Sequence, residues 1–267
     1  MIRHTLAATQ MATFSILLPD HNKDGMPTAT GTGFFVSPDG WFMTAAHVIT
    51  TDGQPNGPVR QDLSDTWLMK ETRVPGGDPG AMCQFVSFGH VLPDLDVALL
   101  KIDFAKNSNK HWLKDRATFP YLEVCLRDLE EGESVYAFGY PLPETEVVTQ
   151  PGMTFGTTSL CPRVTSAIVS SNFERGRMII TGNDPKVYVL DKALNYGNSG
   201  GPIVSVETGR VHALCSRFQP VYVPQPYIKD AHGNQLPVMM PSLYGIVAAL
   251  HNDSLVTLLQ QLGVPIG

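Results

Sequence analysis

The chain has 267 residues, of which 43% are hydrophobic and 16% are charged, a balance that excludes a disordered chain and is typical of globular proteins. The formal net charge is −6 and there is no basic run, which disfavours nucleic acid as a partner because phosphate binding needs clustered Lys and Arg. No stretch approaches the roughly 18 apolar residues of a membrane span. We therefore expect neither nucleic acid nor a membrane as a partner.

The first residues, MIRHTLAATQMATFSILLP, contain one early Arg and only broken apolar runs, which makes a poor signal peptide. We expect a cytoplasmic protein, or a secreted or periplasmic one if a leader has been removed. The four cysteines, Cys83, Cys125, Cys161 and Cys215, include no CxxC pair, so no zinc or other metal site is predicted. Cys161 and Cys215 lie beside strand-like runs and are predicted to be buried free thiols.

Short strand signals dominate the chain, rich in Val, Ile and aromatic residues and bounded by Gly, Pro, Asn or Asp. With 24 glycines and 21 prolines, this pattern favours an all-β barrel or sandwich. No long amphipathic helices separate the strands, as parallel βαβ units would require. In chain order, the predicted strands are Thr32–Val36, Trp41–Thr44, Val97–Ile102, Ser134–Phe138, Val164–Ser170, Val187–Leu190, Pro202–Val206, Arg210–Leu214 and Tyr244–Ala249.

One helix is predicted, in the segment NDSLVTLLQQLG near the C-terminus. Asn252 or Asp253 can cap its first turn, and Gly263 ends it. Four leucines at helical spacing form one apolar face: Leu255, Leu258, Leu259 and Leu262.

The segment Gly197-Asn198-Ser199-Gly200-Gly201 carries the first chemical signal. A serine hydroxyl becomes a strong nucleophile only when a base takes its proton. Flanking glycines let the backbone turn so that N–H groups face a developing oxyanion. The alternative is a glycine-rich turn between two strands, because short motifs have many chance matches.

Two further residues are candidates for the base and the acid. His47 follows a strand signal in TAAHV, and Asp96 opens the apolar run VALLKI. Taken singly, such a His is usually a surface or hydrogen-bonded core residue, and such an Asp usually caps a strand. Asp94, two residues upstream, is the rival for the acid.

Together these segments resemble the trypsin-like serine peptidases, nearest to the protease domain of HtrA (DegP-like) proteins but without their PDZ module. GTGFFVSPDGWFMTAAHV is similar to the His segment of the family, DVALLKI to the Asp segment and GNSGGPIV to the Ser segment, in the order His, Asp, Ser. The resemblance covers roughly Gly31 to Gly263.

The resemblance implies an all-β chymotrypsin fold of two Greek-key β-barrels with a C-terminal α-helix and an active site in the cleft between the barrels. We expect one peptidase domain over residues 1–267. Its parts would be a first barrel at about 8–104, a connector at about 105–120, a second barrel at about 121–251 and the helix at about 252–263.

The resemblance also implies a serine endopeptidase that acts on a protein or peptide substrate without a cofactor. A regulatory protein partner is compatible with this expectation. Ser199 would attack the scissile carbonyl, His47 would act as general base and Asp96 would orient the imidazole. The N–H groups of Gly197 and Ser199 would form the oxyanion hole. By the same resemblance, Ala193 lies at the base of the primary pocket. Ser216 would align the substrate backbone.

Two departures from the family pattern carry their own expectations. The segment Gln219–Pro241 is long and contains five prolines, which suggests an extended surface loop that is either a solvated insertion or a substrate contact. Asn198 stands where secreted trypsins have the Asp that pairs with a newly cut N-terminus. An amide cannot hold a buried ammonium, so the oxyanion loop must be set by other contacts, by Asn198 itself, or by partner or substrate binding.

Three other functions compete with this interpretation. A pseudo-protease or peptide-binding module could share the fold, and a serine esterase could share the chemistry. The α/β-hydrolases also use GxSxG, with the acid and the His downstream; His212, His232 and His251 are available, but the residues after Ser199 favour a strand rather than the helix of that fold.

Overall fold

The computed structural model describes residues 2–20, 26–70, 85–102, 117–141, 144–150, 153–174 and 186–267. Within these ranges the chain forms two α-helices and fourteen β-strands, with short 3₁₀ turns between some of them. In chain order, the elements are α1 (Ile2–Ala12), β1 (Thr13–Asp20), β2 (Met26–Phe35), β3 (Trp41–Thr44), β4 (Trp67–Met69), β5 (Phe85–Leu92), β6 (Val97–Ile102), β7 (Ser134–Gly139), β8 (Glu144–Gln150), β9 (Met153–Ser159), β10 (Arg163–Glu174), β11 (Lys186–Leu190), β12 (Pro202–Ser205), β13 (Val211–Lys229), β14 (Gln235–Ala249) and α2 (Asp253–Gln261).

Twelve of the fourteen strands form two six-stranded antiparallel units with the same strand order, and β8 and β9 pair with each other as a separate two-stranded sheet. The first unit runs β4-β1-β2-β3-β6-β5. The second is a closed barrel which, listed from β12, runs β12-β7-β10-β11-β14-β13. Numbered by their order along the chain within each unit, both sets of strands follow the order 4-1-2-3-6-5. In each, the fourth strand lies beside the first, which is the Greek-key order 4-1-2-3. The second unit also pairs its fourth strand, β12, with its fifth, β13, whereas no β4–β5 pair occurs among the described residues. The predicted all-β architecture is confirmed.

The second barrel has strands that are buried on both faces. Val135, Ala137 and Ile203 point into the barrel interior, while Tyr136 and Val204 belong to a larger cluster that also contains the first unit and α2. Successive side chains of a strand face opposite sides, so one face fills the barrel and the other packs on its neighbours. This explains why these strands are almost continuously apolar in sequence.

The predicted elements agree with the structure where a strand lies between clear turn residues. β3 and β6 have the predicted bounds, and α2 is capped by Asn252, which accepts hydrogen bonds from the N–H groups of Ser254 and Leu255. The N-terminal helix α1, together with β1, β4, β5, β8 and β9, was not predicted. Helix α1 is anchored by a contact that the sequence does not reveal, between the buried Thr9 hydroxyl and Tyr136 Oη, 2.9 Å apart.

The predicted surface loop Gln219–Pro241 is wrong as a loop, because β13 and β14 continue through it as a two-stranded ribbon. The strands meet in a turn at which the Asp230 carboxylate accepts hydrogen bonds from the N–H groups of His232 and Asn234. A proline removes one backbone donor. A two-stranded ribbon tolerates this loss wherever the missing N–H would point away from the partner strand.

The cysteine prediction holds for one of its two thiols. Cys215 is buried and free, as is Cys125, but Cys161 is exposed because it lies just before β10 rather than inside it. Cys83 lies outside the described residues. Across the described ranges, no cluster of three His, Cys, Asp or Glu side chains could hold a metal ion.

The connector predicted at about 105–120 lies mostly outside the described residues. Its end, Phe119, stacks on Phe35 of β2 with ring centroids 4.2 Å apart. Neither of the described helices is long and apolar enough to cross a membrane.

Candidate active site

His47 and Asp96 are brought together by the pairing of β3 with β6. His47 lies in the 3₁₀ turn Ala46–Val48 after β3, and Asp96 directly precedes β6. The His47 Nδ1 atom is 2.8 Å from Asp96 Oδ2 and 3.0 Å from Oδ1, and the His47 backbone N–H donates to Oδ1 at 3.0 Å. With the proton on Nδ1, the outer nitrogen Nε2 is the one able to accept a proton.

Asp96 is held in an unusual backbone conformation. Its φ is 56°, and it is the one non-glycine residue with positive φ among the described residues. It ends the 3₁₀ turn Pro93–Leu95, and its carbonyl accepts a hydrogen bond from Ala46 N–H at 3.1 Å. Asp is among the residues that tolerate this region. Its carboxylate is buried against His47, while Asp94 is exposed.

The second unit contributes Ser216, which lies in β13 and is 3% exposed. Its hydroxyl donates to Asp96 Oδ2 at 2.5 Å, so the side chain supports the acid. The sequence had suggested a role for Ser216 in aligning the substrate backbone. Its neighbour Cys215 is also buried, and burial raises the pKa of the Cys215 thiol, so this thiol stays protonated and is not a competing nucleophile.

Ser199 lies in the segment of residues 195–201, which we call the nucleophile loop. Its hydroxyl is half-buried and makes no hydrogen bond within the described ranges, to His47 or to any other residue. The N–H groups of Gly197 and Ser199 also lack acceptors in that part of the chain. Gly197 has φ 91°, a conformation that favours glycine. Two unpaired donors are therefore available at the position expected for an oxyanion hole.

Gly31 of β2 lies between the two sides of the site. A Cβ atom at this position would lie 2.7 Å from the Val48 side chain and 2.9 Å from the Ser199 carbonyl oxygen. Because Val48 follows His47, both the turn that carries His47 and the nucleophile loop lie against this strand of the first unit.

Thr32, the next residue of β2, is fully buried and makes four hydrogen bonds. Its N–H donates to Ser199 O at 2.8 Å, and its hydroxyl donates to Gly197 O at 2.6 Å. The same hydroxyl accepts from Tyr140 N–H at 3.1 Å, and its carbonyl accepts from the Thr44 hydroxyl at 2.7 Å. Sequence reasoning missed Thr32; the only signal is its place between two glycines, in a strand that also carries Thr28 and Thr30.

Asn198 was one of the groups expected to set the nucleophile loop. Its side chain is buried but makes no hydrogen bond among the described residues. It packs against Gly139, where a Cβ atom would lie 2.5 Å from Asn198 Oδ1. The contacts that hold the loop come instead from backbone groups and from Thr32.

Ala193 is half-buried in the segment between β11 and β12. β14 runs directly against this segment at Gly245, where a Cβ atom would lie 2.8 Å from Lys192 O and 3.1 Å from Leu194 Cγ. The chain on either side of Ala193 therefore packs closely against β14, and the role of Ala193 at the base of the primary pocket stays a prediction.

The three downstream histidines do not join the nucleophile loop. His212 is buried, and its Nδ1 is 2.8 Å from Arg127 O. His251 contacts Asp128 at 3.2 Å, and His232 lies in the β13–β14 turn. The strand β12 follows the loop, with no helix. This arrangement differs from that of an α/β-hydrolase.

Comparison with known families gives a match over most of the chain. The profile of the family described as "Trypsin-like peptidase domain" matches residues 31–214. Serine protease HTRA1 of Xenopus tropicalis is 30% identical over 193 residues, covering 72% of this chain and 32% of the relative. A probable periplasmic serine endoprotease, DegP-like, of Bartonella henselae is 30% identical over 195 residues, covering 73% and 29%. The chain thus matches about a third of the length of these curated relatives.

Solved structures confirm the fold. The Rv3671c protease from M. tuberculosis, in its active form, superposes with a TM-score of 0.56 at 19% identity, covering 98% of this chain and 86% of that one. The HtrA-type protease AlgW with a decapeptide has a TM-score of 0.56 at 16% identity, covering 98% and 67%.

Proposed function

Because this chain belongs to the trypsin-like peptidase family, we propose that it is a serine endopeptidase that cleaves peptide bonds through an acyl-enzyme intermediate. The observation that carries the proposal is the His47–Asp96 pair, with Nδ1 2.8 Å from Oδ2, beside a nucleophile loop whose Gly197 and Ser199 N–H groups have no acceptor in the described residues.

In the proposed reaction, the Ser199 Oγ atom forms a bond to the carbonyl carbon of the substrate while His47 Nε2 takes the hydroxyl proton. His47 then gives this proton to the leaving amine as the C–N bond breaks. A water molecule attacks the resulting ester with the same base, and the proton returns to Ser199 as the acid product leaves. Asp96 keeps the His47 Nδ1–H in place and stabilises the charged ring.

The N–H groups of Gly197 and Ser199 are the proposed oxyanion donors. They stabilise negative charge on the carbonyl oxygen only when that charge develops, which lowers the barrier rather than strengthening ground-state binding. Asp96 is only 2% exposed, so solvent water does not compete with His47 for its carboxylate.

Substrate preference is proposed to follow from the neutral pocket base. A buried Lys or Arg side chain needs an acidic partner, and Ala193 provides none. We expect cleavage after small or medium apolar residues, and profiling with a proteome-derived peptide library tests this. Dominant cleavage after Lys or Arg would contradict it.

The β13–β14 ribbon is proposed to contribute to substrate choice because its base carries Ser216 on one strand and Gly245 on the other. Shortening the ribbon symmetrically, with the Asp230–Asn234 turn retained, should change the cleavage profile more than the melting temperature. A collapsed melting temperature with an unchanged profile would show that the ribbon is structural.

A second candidate is a catalytically idle protein of the same fold, favoured by the lack of a hydrogen bond between the Ser199 hydroxyl and His47 within the described residues. Catalytic hydrogen bonds are often long before substrate binds, so a chemical test of Ser199 separates the two candidates. A fluorophosphonate probe should label Ser199 in an active enzyme, with Ser199→Ala as the control. Rates on matched amide and ester substrates then distinguish a peptidase from an esterase. If the probe does not label the wild-type chain, the result supports a catalytically idle protein.

A further inference from the structure

We propose that Thr32 is a positioning residue that sets the shape of the nucleophile loop, a role that rests on the endopeptidase function proposed above. The two carbonyl groups that Thr32 holds belong to the two residues whose N–H groups are free. Its hydroxyl donates to Gly197 O at 2.6 Å and its backbone N–H donates to Ser199 O at 2.8 Å.

Holding these carbonyls restricts the donors because a residue has only two soft backbone dihedral angles. Once the Gly197 carbonyl is fixed, the direction of the Gly197 N–H can vary only through its own φ and ψ. Glycine has the widest choice of these angles. An external contact is therefore needed at Gly197 to keep the N–H aimed at one point.

The Thr32 hydroxyl is itself directional. It accepts from Tyr140 N–H at 3.1 Å and donates to Gly197 O, so its proton has one favourable position. Thr32 is 0% exposed, so solvent water does not reach this position to take the place of a missing hydroxyl. Removing the hydroxyl leaves the buried Tyr140 N–H and the half-buried Gly197 carbonyl without this partner.

The Asn198 amide side chain makes no hydrogen bond in the described part of the chain. Backbone hydrogen bonds also hold the loop, from Asn198 N–H to Asn195 O at 3.1 Å and from Gly200 N–H to Cys215 O at 2.6 Å, but neither of them reaches the Gly197 carbonyl that the Thr32 hydroxyl holds. Thr32 belongs to the first unit, so the unit that carries His47 also sets the oxyanion donors of the second.

The test compares Thr32→Val, which keeps the side-chain shape, with Thr32→Ser, which keeps the hydroxyl. We expect kcat of Thr32→Val to fall roughly 10- to 100-fold, somewhat less than for deleting an oxyanion donor, with KM little changed. The pH profile of kcat should stay the same as that of the wild type. Thr32→Ser should retain most of the wild-type kcat.

Thr9→Val is the matched stability control, because Thr9 is equally buried and its hydroxyl contacts Tyr136 Oη rather than the nucleophile loop. It should lower the melting temperature without lowering kcat. A Thr32→Val enzyme with wild-type kcat, or a Thr32→Ser enzyme as impaired as Thr32→Val, would overturn the proposal.

A separate readout distinguishes failure of this proposal from failure of the proposed function. If the wild-type chain neither cleaves peptides nor reacts with a fluorophosphonate, the endopeptidase function fails. Hydrogen–deuterium exchange of residues 195–201 then still tests Thr32. Faster exchange there in Thr32→Val than in Thr32→Ser and Thr9→Val supports the positioning role, and equal exchange in all three overturns it.

Discussion

The base side and the nucleophile side of the site are built by different means. On the base side, side chains are connected by hydrogen bonds, since the Asp96 carboxylate contacts both the His47 ring and the Ser216 hydroxyl. On the nucleophile side, the fixed groups are backbone carbonyls and the Gly200 N–H, while the Ser199 hydroxyl and the N–H groups of Gly197 and Ser199 have no partner among the described residues. In the proposed mechanism, the acid–base pair is therefore formed before substrate binds, and the groups that would contact the substrate are unpaired.

The contacts between the two units run in both directions. Ser216 of the second unit supports Asp96 of the first, and Thr32 of the first unit holds Gly197 and Ser199 of the second. Each unit thus supplies a contact to the proposed reactive groups of the other. Under the proposed mechanism, removing either contact should lower activity.

The largest effect is expected from removing the reactive atoms themselves. Ser199→Ala and His47→Ala should each lower kcat by about 10⁵–10⁶-fold, because members of a triad act as a unit. Initial rates on a peptide substrate measure this, and thermal melts check that the fold is intact. The double variant should be no worse than either single variant; an additive loss would contradict a shared mechanism.

A smaller loss is expected when the acid keeps its shape but loses its charge. Asp96→Asn should lower kcat by about 10⁴-fold, because an amide favours the wrong His47 tautomer. Asp94→Asn is the matched control, since Asp94 is an exposed carboxylate two residues away. If Asp94→Asn is instead the crippling change, the acid is misassigned.

Breaking the contact from the second unit to the acid should have a moderate effect. Ser216→Ala removes a hydrogen bond to a buried carboxylate, and we expect kcat/KM to fall about 10-fold. Ser205→Ala is the control, because Ser205 is a buried serine of the same barrel that donates to Glu133 instead. Equal activity losses in the two variants would argue for general destabilisation.

The smallest effect is expected on the pH dependence of stability, through a buried histidine outside the proposed active site. Burial lowers the pKa of His212, whose ring lies 2.8 Å from Arg127 O. As the pH falls, the unfolded chain therefore takes up a proton on this histidine before the folded chain does. The free energy of unfolding is thus higher above about pH 6.5 and declines below it.

The measurement is a set of thermal melts between pH 7.5 and pH 5 in a Ser199→Ala background, which prevents self-cleavage. We expect a loss in Tm on the order of 2–4 °C over this range. A His212→Gln variant should show a flatter profile, and identical pH profiles in the two proteins would contradict the assignment.

The proposed site residues left clearer signals in the sequence than several of the elements around them. His47, Asp96 and Ser199 each stand beside a strand or a glycine turn that a short motif reveals, and the structure brings the first two into contact. Thr32 was missed because its partners, Gly197 and Ser199, are more than 160 residues away along the chain. Such a contact depends on the packing of two units and leaves no local pattern.

The predictions of secondary structure failed where local composition gave no signal or the wrong one. Helix α1 contacts the second barrel through Thr9 and Tyr136, which are far apart in the sequence, and the ribbon has five prolines that favour a loop by composition. In both cases tertiary contacts or strand pairing outweigh local preference.

The ribbon formed by β13 and β14 also has a consequence for solubility. Beyond Cys215 on one strand and before Gly245 on the other, its outer edges pair with no further strand among the described residues. Open edges of this kind can recruit a strand from another molecule and so lead to aggregation. The prolines at positions 220, 224, 226, 237 and 241 interrupt the row of donors that such a strand would need. The feature that hid the ribbon from sequence analysis thus protects its edges from intermolecular pairing.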